Sequence, residues 1–227
     1  MNKLIIDKEN NIDIKNNVIE LDIEVKELTI NIEGRVLINE ITKKDSEELN
    51  LTINIKPNSE LVYNRFIIHN TMNNKFIINQ ENNSSMRFNY SIIANNKCKL
   101  DFDSNINGDN NKTEIYVRAV TQDIGSVNIK QTADTKPKIK DNNLLESIKV
   151  LLLNDEESVI EPNLLVSSNE IEVNPAATLS SIDKNYLFYL NSKGISNDKA
   201  EELIKEGFLL SNLDITKEQR EQIKELI

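Results

Sequence analysis

The sequence predicts a mainly β domain followed by a small helical subdomain, and three observations carry that expectation. From Leu28 to about Val173 apolar residues recur in short alternating runs: Leu28/Ile30/Ile32, Leu51/Ile53/Ile55, Cys98/Leu100/Phe102, Ile115/Val117/Ala119, Val127/Ile129 and Ile171/Val173. Period two with β-branched residues marks strands that bury one face. Polar clusters such as Asn73-Asn74-Lys75, Glu81-Asn82-Asn83-Ser84-Ser85 and Asn105-Ile106-Asn107-Gly108-Asp109-Asn110-Asn111 separate the runs and read as turns. After Thr178 the period changes to that of a helix.

A strand and its turn recur every ~10 to 15 residues, which suits a sandwich, a barrel or a β-solenoid. No Gly or Asn ladder at fixed spacing singles out the solenoid, and the abundance of Asn reads as compositional bias.

The helical segments follow from their caps. Asp183 caps a helix carrying Tyr186, Leu187, Tyr189 and Leu190, and Gly194 stands where a left-handed C-terminal residue is wanted. Ser196 caps a second helix whose stripe is Ala200, Leu203 and Ile204 and which is expected to end at Gly207. Thr216, with Gln219 three residues on, opens a third that presents Ile223, Leu226 and Ile227. Helices this short are marginal alone and must dock on something.

Charge excludes several functions. With 27 basic and 37 acidic residues the net charge is -10, which repels phosphate backbones and anionic lipid surfaces, so neither nucleic acid nor membrane is an expected partner. No apolar run is long enough to span a bilayer and the N-terminal one is too short for a signal peptide, so a cytoplasmic location is expected. Cys98 is the only cysteine and His69 the only histidine. Cys98 reads as a small inward-facing core residue and His69 lacks a partner nearby in sequence, which leaves both as weak metal candidates.

Other chemistry is sparse. Asp103-Ser104-Asn105-Ile106-Asn107-Gly108, with Asp109 and Glu114 following, satisfies the expression for a helix-flanked calcium loop, yet both flanks alternate as strands. A calcium-binding β-domain using Asp103, Asn105, Asp109 and Glu114 is therefore an alternative function. The five glycines form no phosphate-binding loop, and Asp155-Glu156-Glu157 reads as a solvated turn.

The most specific stretches lie near the C-terminus: Pro162-Asn163-Leu164-Leu165-Val166, Ala176-Ala177-Thr178, Asn185-Tyr186-Leu187-Phe188-Tyr189-Leu190-Asn191-Ser192-Lys193-Gly194-Ile195 and Gly207-Phe208-Leu209. Together they resemble the C-terminal signature of the SufB/SufD family, the scaffold proteins of iron-sulfur cluster assembly. The resemblance implies a right-handed parallel β-helix over residues 1–178 with a helical subdomain over 179–227. It also implies that the helices dock a SufC-like ATPase through Tyr186, Leu187, Phe188, Tyr189, Leu190, Lys193, Gly194, Ile195, Leu203, Ile204, Gly207 and Phe208.

The family's ligands are not matched. Val173-Asn174-Pro175 occupies the place of a Cys-x-His or Glu-His-Glu segment, and Glu146 falls near the place of the cluster-holding cysteine. The expectation is a structural subunit, not an enzyme, that binds no cofactor alone and works as a homodimer or beside a SufB-like paralogue. An iron-sulfur cluster would then belong to the assembled complex. The alternative within the family is an active scaffold that uses Cys98 from two chains, or carboxylates, at a dimer interface.

Overall fold

The computed structural model describes residues 2–42, 47–167 and 170–227. Among them, fifteen strands coil into a parallel β-solenoid of about six turns, and three helices follow. One sheet holds the odd strands in the order β1 (Asn2–Ile6), β3 (Val18–Ile23), β5 (Arg35–Thr42), β7 (Glu60–His69), β9 (Ser85–Ala94), β11 (Lys112–Thr121), β13 (Asn142–Leu152) and β15 (Ile171–Ser181). The facing sheet holds β2 (Asn11–Lys15), β4 (Glu27–Glu33), β6 (Glu48–Ile55), β8 (Met72–Gln80), β10 (Lys97–Ile106), β12 (Ser126–Thr135) and β14 (Val159–Leu165). The expected parallel β-helix is the fold, and the sandwich and barrel are excluded because each strand pairs with the strand two places on.

Register explains the core. Alternation puts every second side chain inside, and parallel in-register pairing stacks like on like: Ile12 beside Ile30 beside Ile53 beside Ile78, and Leu28 beside Leu51 beside Phe76 beside Phe102. Phe76 stacks on Phe102 at 4.9 Å, and Tyr63, Phe88 and Tyr90 close around them. Within this apolar column lies one ion pair, Arg65 Nη1 to Glu40 Oε2 at 2.6 Å, with the Tyr63 hydroxyl donating to the same oxygen at 2.5 Å.

Asparagine has structural work that the sequence reading assigned to compositional bias. On the even sheet Asn31, Asn54, Asn79 and Asn105 each donate through Nδ2 to the Oδ1 of the residue one coil earlier, beginning at Asp13. A ladder is therefore present, though not at the fixed spacing for which the sequence was read. Its spacing drifts from 18 through 23 and 25 to 26 residues because the coil widens, so no fixed period appears. Further asparagines turn the corners with positive φ at Asn58, Asn83 and Asn110, a conformation Asn tolerates better than most residues.

Helix α1 (Lys184–Ser192) is capped by Asp183, whose carboxylate accepts from Asn185 N at 2.8 Å, and it closes with the Ile195-to-Leu190 and Gly194-to-Asn191 bonds around Gly194 at φ 84°. Helix α2 (Asn197–Leu210) runs straight through Gly207, against the expected stop there. The reason is packing. Leu209 and Leu210 carry the stripe onto the outer face of the odd sheet, where they meet Phe66, Ile93, Val120 and Leu151, and this contact outweighs the low helix propensity of one glycine. Helix α3 (Lys217–Leu226) begins with the expected Thr216–Gln219 capping box and buries Ile223 in the same cluster.

A second asparagine ladder, Asn39–Asn64–Asn89, locks this docking. Asn64 donates to Asn39 Oδ1 and to the Asp214 carbonyl, and its own Oδ1 accepts from Asn89 and from Asp214 N. An Asn64→Ala variant should lose about 2 to 3 kcal/mol, since it leaves buried groups unsatisfied on both sides. Limited proteolysis should then release the helices before the strand body, and simultaneous cleavage of both would count against this role.

Candidate functional site

Helices α2 and α3 clamp the strand body, and α1 stands away from it. None of the α1 residues is buried; Tyr186 is 66% exposed, Phe188 76% and Tyr189 58%. Large aromatics on a short helix usually end in a core, so this exposure is unusual. The helix is nevertheless held firmly at its C-terminal end. Asn191 Nδ2 donates to Asn197 Oδ1 at the start of α2, Ser192 Oγ donates back to the Tyr189 carbonyl, and Lys193 Nζ sits 5.6 Å from the Tyr189 ring centre.

The residues expected to bind a partner therefore divide. Tyr186, Phe188, Tyr189, Lys193, Gly194 and Gly207 are exposed, and Leu203 on α2 is 39% exposed. Leu187, Leu190 and Ile195 are half-buried. Ile204 and Phe208 pack in the cluster that joins α2 to the odd sheet, so they fasten the subdomain internally.

The terminal coil forms a second surface. Strands β14 and β15 are the outer edges of their sheets, and each leaves one side of its backbone unpaired. Leu164, Leu165, Val166 and Leu179 are exposed there. The alternation-based reading did not single these residues out, although the Leu164-Leu165-Val166 run signals a strand with no polar face.

Pairing also brings the two positions implied by the family resemblance side by side. Glu146 on β13 is the register partner of Pro175 on β15, and a groove of about 450 Å³ is lined by Glu146, Tyr116, Ser147, Val173, Asn174 and Pro175. Of these only Glu146 offers a ligand atom of the family's kind. It is 2% exposed, Gln131 Nε2 donates to its Oε1 at 2.9 Å, and Oε2 is buried with no hydrogen-bond partner. Burial pushes its pKa up to about 7 against the opposing pull of the Gln131 hydrogen bond.

The weaker candidates are scattered. Cys98 is buried on β10 between Met72 and Val127, two strands in from the β14 edge, and burial pushes its thiol up to about 12, away from the reactive thiolate. Bridging two copies through Cys98 would thus require a contact other than that edge. His69 is buried at the end of β7 in the opposite sheet.

The calcium reading is corrected. Asp103 and Asn105 lie on β10 and Glu114 on β11, in different sheets, so they share no loop. Asp103 pairs with Lys75, Asp109 Oδ1 accepts from Lys140 N, and Glu114 is held by Arg87 and Lys112. Among the described residues no group of three or more His, Cys, Asp and Glu could hold a metal ion, and no helix is long and apolar enough to cross a membrane.

Residues 15–208 match the family described as SUF system FeS cluster assembly, SufBD core domain, which takes in the solenoid from β3 to β15, α1 and most of α2. The chain belongs to the SufBD family. An iron-sulfur cluster assembly SufBD family protein of Methanothermobacter thermautotrophicus is 30% identical over 130 residues, a stretch that covers 56% of this chain and 31% of that relative. The chain thus spans about a third of the length of the curated relative it matches. The match to this family, whose description concerns iron-sulfur cluster assembly, extends over both the open terminal coil and the projecting α1.

Proposed function

We propose that this protein is a structural subunit of an iron-sulfur cluster assembly complex in the cytoplasm, and that α1 is the grip for a SufC-like ATPase. The exposure of Tyr186, Phe188 and Tyr189 on a rigidly capped helix is the observation that carries the reading. Aromatics this exposed leave most of the roughly 150 to 250 Å² that such side chains can bury for a partner to cover, which is how interface hot spots arise. The open β14 and β15 edges suit pairing with a second copy or a SufB-like paralogue. The protein performs no chemistry alone in this reading, because its soft-ligand candidates are one deeply buried thiol and one imidazole in opposite sheets.

The test is association with an ABC-type ATPase expressed from the same genome. Replacing Tyr186 and Phe188 by Ala should weaken binding at least tenfold, equivalent to about 1.4 kcal/mol or more, with unchanged thermal unfolding because neither side chain is buried. An unaltered dissociation constant in surface plasmon resonance would remove the grip from α1.

A further inference from the structure

Where the segment 211–214 between α2 and α3 crosses the odd sheet, it leaves a groove of about 430 Å³ lined by Arg87, Asn89, Tyr116, Arg118, Asn212 and Asp214, with Ser211 and Leu213. Arg118 projects outward from β11 and is only 9% exposed. Its Nη1 donates to the Val117 carbonyl at 2.9 Å and to the Ser147 carbonyl at 2.8 Å, with Ser147 Oγ at 3.3 Å. Those bonds fix the guanidinium plane and occupy one end of it. The hydrogen bonds of Arg118 among the described residues all run through Nη1, and the remaining edge, Nε and Nη2, is not sealed from solvent but opens into the groove. Buried cations are ordinarily paired with an anion. Burial accordingly pulls the pKa of this one below the ordinary guanidinium value.

The other charges in the groove narrow what could complete it. Arg87 is spent, since its Nε and Nη2 both bind Glu114 Oε2, at 2.8 and 2.7 Å. Asp214 uses its backbone to hold Asn64, while its side chain is exposed and lines the groove. In the floor, Asn89 ends its ladder: Nδ2 donates to Asn64 Oδ1, and Oδ1 is buried with no donor. The groove therefore offers one cationic fork, one carboxylate and one acceptor, with no net charge. A dianion such as phosphate would be repelled by Asp214. A compact zwitterion answers all three.

We propose that this groove binds a free α-amino acid, with its carboxylate forked onto the Nε–Nη2 edge of Arg118 and its ammonium facing Asp214 and Asn89 Oδ1. Side-on, two-bond recognition of a carboxylate is the geometry that guanidinium favours, and it requires a held plane such as Nη1 anchoring provides. The ligand's side chain would rest along Tyr116 and Leu213. The site shares no residue with the exposed face of α1 or with the terminal edge strands, so it is independent of the ATPase and dimer readings.

The experiment is a titration of the ¹⁵N-labelled protein, followed by amide shifts of 211–214, with alanine, leucine, acetate, methylammonium and inorganic phosphate as separate probes. Saturable shifts are expected with the amino acids, with acetate and methylammonium at least tenfold weaker and phosphate weaker still. Arg118→Gln should abolish the response to amino acids. Because that change also removes the Val117 and Ser147 bonds, Asp214→Asn supplies a second arm at an exposed residue: amino-acid affinity should fall at least fivefold while the weak acetate response is kept. Absence of saturation by any amino acid, phosphate or acetate binding as tightly as alanine, or an unchanged titration in both variants would overturn the proposal.

Discussion

Replacing Arg65 by Met should lower the unfolding free energy by about 3 to 5 kcal/mol, because it strands the Glu40 carboxylate in the interior of the solenoid without its counterion. Both partners are about 1% exposed, and the Tyr63 hydroxyl bonds the same carboxylate oxygen. Burial is the largest single influence and disfavours the charged guanidinium, yet Glu40 together with Tyr90 and Tyr63 outweighs it and holds the Arg65 pKa above the ordinary value. The Phe76 and Tyr90 rings, 5.6 and 5.7 Å from the Arg65 guanidinium carbon, add cation–π attraction.

Geometry makes this loss largely recoverable. A triple variant, Glu40→Leu with Tyr63→Phe and Arg65→Met, removes charge, countercharge and hydroxyl together and fills the space with apolar atoms, so it should regain most of the stability. Urea unfolding at pH 7 compares the two. A single variant that loses less than about 1 kcal/mol, or a triple variant no better than the single, would show that the pair is not what organises this layer.

Glu146→Gln should stabilise the protein above pH 7 and flatten its stability profile between pH 5 and 7. The carboxyl has a folded pKa of about 7 against an ordinary 4.5. A raised acid contributes fully below the unfolded value, and that contribution is lost as pH rises through the folded one. The 2.5-unit interval corresponds to about 3 kcal/mol at most. Protonation suits the site, since Oε2 of Glu146 and Oε1 of Gln131 are both buried without a donor. Unfolding free energies of wild type and variant at pH 5 and 8 should converge at the lower pH and separate at the higher. Parallel profiles would mean that Glu146 ionises as freely in the fold as in the unfolded chain.

Strands and caps were legible because their signals are local. The alternation at Leu28/Ile30/Ile32 and at Cys98/Leu100/Phe102 predicts inward faces, and those residues are buried. Asp183, Ser196 and Thr216 all cap the helices assigned to them. Pairing was not legible, since a half-buried strand alternates identically whether its neighbour is antiparallel in a sandwich or one coil away. The asparagine ladder escaped for a related reason: hydrogen bonding needs register, and register survives a changing loop length that periodicity analysis does not.

Glu146 was named from the family resemblance alone, yet its burial was also legible, as it takes the apolar phase of Leu144/Glu146/Ile148 on a buried strand. The Arg118 groove was not. Its walls come from β9, β11 and a linker about a hundred residues on, and nothing short of the docked helices places Asn212 over Tyr90 and Tyr116. The pass through Gly207 was hidden likewise, since the sheet face that rewards Leu209 and Leu210 is distant in the chain.

The widening of the coil has a consequence for how copies can meet. Rungs joined across 18 residues near β2 give way to connections of 31 near β13, and a first strand of five residues contrasts with a fifteenth of eleven. Broad rungs and narrow rungs do not match strand for strand, whereas two rungs of equal breadth do. If two copies were to pair through these edges, growth would stop at the pair, so the taper would add to the guard that Pro162 and Pro175 already place on β14 and β15.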